Sequence, residues 1–297
     1  MESIPVGTLF DALAEWPEAR RNYDALRGVL VRRVGGVTLT FNPARVRSTA
    51  AKVRPEDIAR RPCFLCRGNR PAEQRSLSWR TYEVLVNPYP IFGHHLTIAS
   101  VEHCAQGLVS RVGDMYALAE ALPGYAVFFN GARCGASAPD HAHFQAAREL
   151  SDSSVLEGIV GDVGERLYTL GEGGITVSTG TGRLAYHLVC RDEESAVLLL
   201  GHLMEVRRID EGMINAVARL SEDGHTVDIV VIPRRRFRPW QYDAMDDRHI
   251  AVSPAAVEVL GLYVLPYRED YEKMTAEMAE DVLRQVCYAS DSELLGK

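Results

Sequence analysis

The chain has 297 residues, 46% of them hydrophobic and 25% charged, with a formal net charge of −7. That length buries a full core as one large domain or two smaller ones, and the composition excludes disorder and fibre. The acidic balance argues against a general polyanion binder, so no nucleic-acid partner is expected, while a locally basic pocket stays open.

The opening MESIPVGTLFDALAEWPEAR has neither a basic n-region nor an apolar h-region, and no run approaches ~18 apolar residues. A cytoplasmic protein without a membrane partner is the expectation. Residues 1–36 read as an N-terminal helical segment. Gly7 to Val29 carries Leu9, Leu13, Trp16, Tyr23 and Leu26 at helical intervals, bent or restarted near Pro17. A strand, Val37 to Phe41, follows, and then a loop with Arg45 and Arg47.

Of the six cysteines only Cys63 and Cys66 form a CxxC pair, in RPCFLCRGNRPAEQ; Cys104, Cys134, Cys190 and Cys287 read as buried thiols. Two thiolates three positions apart can hold one metal ion from a tight turn, but a zinc site needs four ligands and there is no second CxxC. A strand over Tyr82 to Asn87, the pair His94 and His95, and a helix through Gln106 to Leu122 come next. Leu108, Val112, Met115, Leu118 and Leu122 form that helix's core stripe.

The strand Tyr125 to Asn130 leads into NGARCGASAPDHAHFQ. In an extended strand, His141, His143 and Gln145 share one face while Ala142 and Phe144 pack the other. Gly131 and Gly135 let the preceding loop bring its backbone amides close to a ligand such as a phosphate. Beyond Ser151 to Ser154 the rhythm repeats. Strands are expected near Ile175 to Ser178, Leu184 to Cys190, Met213 to Leu220 and Thr226 to Pro233, with a helix through Ser195 to Val206 and no second HxH. The final helix places Met274, Met278, Val282 and Val286 in register, with Glu269 and Lys273 as an i,i+4 pair.

NGxxxGxS followed by HxHxQ resembles the active-site strand of the histidine-triad superfamily. The resemblance is to its transferase branch, which includes galactose-1-phosphate uridylyltransferase, diadenosine tetraphosphate phosphorylase and GDP-galactose phosphorylase. CFLCxGN is similar to the zinc-binding turn of the same branch, and Ser253 to Thr275 resembles the ending of GDP-galactose phosphorylases. The sequence departs from the uridylyltransferase pattern by one extra residue, Asp140, before the first histidine, and by Ala142 in place of proline.

The resemblance implies an α+β fold of two histidine-triad-like halves, each an antiparallel sheet with packed helices. The catalytic half would span 37–150 and the second 151–297. It implies a structural zinc on Cys63, Cys66, His103 and His141, with His94 or His95 as alternatives to His103. It also implies His143 as the nucleophile of a covalent nucleotidyl intermediate, with Gln145 and Ser137 as donors to the phosphoryl oxygens. Asn130 and the Gly135 amide would assist, and Arg45 with Arg236 or Arg238 would meet a phosphate or sugar. The implied partners are a nucleotide sugar or dinucleoside polyphosphate plus a phosphate or sugar-phosphate acceptor, with a homodimer as a candidate state. A histidine-triad hydrolase and a non-catalytic nucleotide-binding regulatory protein are the rival readings.

Overall fold

The computed structural model describes residues 3–46, 55–150 and 153–296. Arg47 lies outside the described residues, and the polar stretch opening the second half is described only from Ser153. Ten strands form one antiparallel sheet: β3 (Ser76–Trp79), β4 (Tyr82–Val86), β5 (His95–Ser100), β6 (Ala126–Asn130), β7 (His143–Ala147), β8 (Arg166–Leu170), β9 (Gly173–Ser178), β10 (Ala185–Cys190), β11 (Ile214–Leu220) and β12 (Val227–Pro233). Their order across the sheet is β3-β4-β5-β7-β6-β11-β12-β10-β9-β8.

That order is one pattern used twice. From one edge the first half runs 3-4-5-7-6, and from the other edge the second runs 8-9-10-12-11, so the halves meet at β6 and β11. Each half inserts a helix after its third strand: Val112–Ala121 follows β5 and Glu193–Arg207 follows β10. Asp192 caps the latter by accepting from the Ser195 amide at 2.7 Å. Both helices pack on one face of the sheet, burying Met115, Leu118, Leu199 and Leu203 against Phe129, Phe144, Ile229 and Val231.

The opposite face is covered by the helices Ser154–Val160 and Ala276–Val286 and by a second sheet of β1 (Leu30–Val34), β2 (Val37–Phe41) and β13 (Leu262–Leu265). β13 pairs parallel to β2, with Tyr263 opposite Leu39, so the end of the chain closes over its beginning. Central strands are therefore buried on both faces and read as apolar runs, as in AVFFN and YEVLV.

The expected restart near Pro17 is present: the helical stretch runs as Gly7–Asp11, a 3-10 turn at Ala12–Glu15 and Pro17–Ala25, with Pro17 at the first helical position where its missing N–H costs nothing. Two expectations need correction. The segment 1–36 is not wholly helical, because it ends in β1, an edge strand with Val31 and Leu30 exposed. Lys273 turns from Glu269 to the backbone, donating to the carbonyls of Asp247 and, at 3.1 Å, His249.

Candidate active site and metal centre

β7 lies between β5 and β6, with His143 opposite Ala99 and Gln145 opposite both Thr97 and Phe128. Phe144 and Ala146 join the helix-side core, which leaves His143 and Gln145 on the other face. Gln106 fixes the start of the strand. Its Oε1 accepts from the His143 amide at 2.8 Å, while its Nε2 donates at 3.0 Å to the carbonyls of both His143 and Asn130. Nothing local marks Gln106 for this role, because it sits ahead of a helix and acts through the backbone of distant strands.

His143 Nδ1 lies 2.8 Å from the His141 carbonyl and must donate to it, which assigns the proton to Nδ1 and leaves Nε2 for the cleft that His143 lines. Burial pushes the imidazole down to about 4, so the ring is neutral near pH 7.

Gln145 is oriented by the same logic. Ile91 N–H donates to His95 Nδ1 at 3.1 Å, so the His95 proton sits on Nε2 and is donated to Gln145 Oε1 at 2.9 Å. Asn87 Nδ2 adds a second, longer donation to that oxygen at 3.4 Å. With its oxygen engaged on the sheet side, the Gln145 amide nitrogen is the end left to donate into the cleft. His95, one of the alternative metal ligands, is thus an internal brace. His94 is half-exposed, 3.8 Å from Glu149.

Burial lowers His95 to about 3. The folded state therefore resists a proton that the unfolded chain accepts near pH 6.5. His95 contributes stability that is complete above about pH 6.5 and is lost as pH falls toward 3, by up to about 1.4 kcal/mol per pH unit. In urea melts, the wild type should lose about 2 kcal/mol more between pH 6.5 and 5 than His95→Gln does; equal slopes would exclude His95 as the source.

The loop from β6 to β7 is shaped by close approach. A Cβ on Gly135, where φ is +123°, would lie 2.5 Å from that of Ala255, and one on Gly131 would meet the Gly212 carbonyl at 2.6 Å. Asn130 is part of the bracing: its Oδ1 accepts from Asn215 Nδ2 at 2.9 Å and from the Ala256 amide at 2.8 Å. Asn215 Oδ1 in turn accepts from the buried Arg234, whose guanidinium also holds the Pro254 carbonyl. Arg234 belongs to the basic run PRRRFRPWQY but faces inward.

These elements enclose a cleft of about 480 Å³ lined by His143, Gln145, Ser137, Gly135, Arg45 and Arg238, with aromatic and amide side chains from the cysteine turn and from the segment that follows β4. Arg45 donates to the Tyr89 carbonyl at 2.7 Å, and burial lowers it to about 10 against the opposing pull of Glu258, which lines the same cleft. Burial in turn raises the Glu258 carboxyl, whose Oε2 accepts from the Ala255 amide at 2.9 Å. Arg238 donates to Ser253 Oγ at 2.9 Å and stacks 3.9 Å over the Tyr242 ring. Arg236 points outward, is exposed, and lines a separate groove.

Cys63, Cys66, His103 and His141 bring one donor atom each within 4.8 Å of one another. Cys63 Sγ is 3.3 Å from His141 Nδ1, and Cys66 Sγ is 3.3 Å from His103 Nδ1 and 3.6 Å from His141 Nδ1. An ion with metal–sulfur distances of about 2.3 Å and metal–nitrogen distances of about 2.0 Å sets tetrahedral sulfur–nitrogen edges of about 3.5 Å, so the donor set fits.

Outer contacts fit as well. His141 Nε2 donates to the Ser100 carbonyl at 2.8 Å, and Asp140 stands 3.8 Å from His103 Nε2. Asp140, the extra residue of this loop, also meets Arg61 at 3.5 Å, and Arg61 donates to the Ser137 carbonyl at 3.0 Å. Asp140 thereby links the Cys/His cluster to the serine. The turn itself is pinned to β4 by the buried Arg70–Glu83 ion pair.

Two abutting halves of one topology, with an HxHxQ strand in only the first, define an α+β fold of two antiparallel half-sheets, which solved structures share. The crystal structure of yeast Ap4A phosphorylase in complex with Ap4A matches with a TM-score of 0.60 at 15% identity, over 92% of this chain and 96% of that one. The same enzyme in complex with AMP matches with a TM-score of 0.58 at 16% identity, over 92% and 95% of the two chains. Residues 9–148 match the model of a family described as a domain of unknown function, DUF4922. No curated protein matches significantly. Among the described residues, no helix is long and apolar enough to cross a membrane.

Proposed function

We propose that this chain is a nucleotidyltransferase of the phosphorylase type, acting on a dinucleoside polyphosphate or nucleotide sugar through a nucleotidyl-His143 intermediate. The observation that carries this reading is the neutral His143 ring, with its Nδ1 proton tied to a carbonyl and Nε2 left for the cleft, beside a Gln145 amide turned to donate.

A neutral imidazole approaches a phosphate without charge repulsion. In the first step Nε2 forms a bond to phosphorus as the phosphorus–oxygen bond to the leaving group breaks. The electron pair departs on a phosphate oxygen acidic enough to need no proton. The positive charge gained by the ring is steadied by the His141 carbonyl at Nδ1–H. In the second step an acceptor phosphate oxygen attacks, the nitrogen–phosphorus bond breaks, and the neutral ring returns. Gln145, Ser137 and the Gly135 amide would donate to the non-bridging oxygens as charge builds. Zinc, held by Cys63, Cys66, His103 and His141, would tie the cysteine turn to the strand two residues before His143.

Gln145→Glu would replace the inward donor with a carboxylate facing the phosphate. We expect turnover to fall about 10²–10³-fold, the loss typical of removing one such donor; an unchanged rate would remove Gln145 from the site. The reading itself is tested by following Ap4A and nucleotide sugars with and without inorganic phosphate. Phosphate-dependent release of a nucleoside diphosphate supports a phosphorylase, while phosphate-independent release of a nucleoside monophosphate would make the protein a hydrolase.

A further inference from the structure

Two stretches of the cleft wall are joined by one side chain. The cysteine turn contributes Phe64 to the wall and the loop between β6 and β7 contributes Ser137, while Arg61 lies behind them and does not itself line the cleft. The Arg61 guanidinium donates to the Ser137 carbonyl at 3.0 Å. It is held from two sides, by the Phe64 ring with its centre 4.8 Å away and by Asp140 Oδ1 at 3.5 Å.

The ion pair is more than a loose surface contact. The two side chains are only 24% and 21% exposed, and Arg61 Nε and Asp140 Oδ1 are shielded from water with no hydrogen-bond partner among the described residues. Water therefore screens this pair less than a surface one. The rest of the loop is fastened by other means. Gly135 is packed against Ala255, the Gln106 amide donates to the Pro139 carbonyl at 3.1 Å, and the His141 amide donates to the Ala138 carbonyl at 3.1 Å. Ser137 sits between these anchors, and its peptide is what Arg61 holds.

We propose that Arg61 is a positioning residue for the reaction: fixed by Asp140, it holds the Ser137 peptide so that the serine hydroxyl meets a non-bridging phosphoryl oxygen beside His143. The inference rests on the function proposed above and names a residue that acts on it from outside the cleft. A hydrogen-bond donor stabilises developing charge without reorganisation only when it is placed in advance. A side chain that holds the donor's backbone therefore acts on turnover more than on binding. Asp140 is also the residue by which this loop is longer than that of the uridylyltransferase, so the longer loop carries its own fastening.

The test is a double-mutant cycle on Arg61 and Ser137, run at saturating phosphate with Ap4A or whichever nucleotide sugar turns over faster. Arg61→Ala should lower kcat about tenfold while KM for the donor stays within about twofold, and Arg61→Lys, which keeps the charge opposite Asp140, should recover part of the loss. In a Ser137→Ala background, Arg61→Ala should cost no more than about twofold, since no hydroxyl is left to misplace. Amide hydrogen exchange reads the loop without turnover: it should quicken at Ser137 and Ala138 in Arg61→Ala and stay as in the wild type along β12. Losses that multiply in the double variant, or loop exchange that Arg61→Ala leaves unchanged, overturn the positioning role while leaving the phosphorylase reading intact. A wild type that turns over none of the donors overturns both together.

Discussion

His143→Ala should reduce turnover by at least about 10⁴-fold while leaving the chain folded. Removal of the imidazole takes away the group to which the proposed function assigns the covalent bond. Gln145 has no nucleophilic atom, and among the described residues Ser137 has no base hydrogen-bonded to it. What would survive is binding and the hydrogen-bond donors, which stabilise charge but cannot split the reaction into two steps. The structural cost is smaller: the His141 carbonyl loses its partner in a buried setting, about 1–3 kcal/mol. Melting curves beside rate measurements separate the two, and a variant that melts near the wild type yet turns over within tenfold of it would remove His143 from the chemistry.

Loss of the metal should have the second largest effect. Protein purified without added metal should contain about one zinc per chain, and Cys63→Ser should lose it. The turn from Cys63 to Asn69 has little core of its own: Leu65 is buried while Phe64 and Asn69 are exposed. Much of its order would therefore come from the ion. A destabilisation of about 4 kcal/mol or more would lower Tm by about 10 °C. His103→Ala should behave like Cys63→Ser, whereas His94→Ala should keep the metal, since His94 lies beside Glu149 and away from the cluster. Substoichiometric zinc in the wild type would contradict the site.

Much of this arrangement was legible because it rests on local spacing. The period-two pattern of HAHFQ put His143 and Gln145 on one face as expected, whereas His141, expected beside them, precedes the strand and turns to the cysteines; CxxC implied a metal that the turn alone could not complete. The core stripe of Leu108, Val112, Met115, Leu118 and Leu122 is fully buried as expected. The completing ligands came from resemblance, since nothing local says that residues 37 and 75 positions beyond Cys66 return to it. The missed strands have plain reasons: β3 and β8 are edges with mixed exposure, and LVRRV in β1 has no apolar alternation. Gln106, Asn215 and Arg234 stayed hidden because each acts on backbone or side chains far away in sequence. The roles of His95 and Asp140 likewise appear only when Gln145 and His103 are brought beside them.

The central claim is the covalent nucleotidyl-His143 bond, and intact-mass spectrometry after brief incubation with Ap4A, Gp4G and nucleotide sugars tests it most directly. The expected result is one added nucleoside monophosphate on the wild type with at least one donor, discharged by inorganic phosphate and absent from His143→Ala. Binding of the same donors with steady turnover but no adduct, under quench conditions that preserve a phosphoramidate, would contradict it.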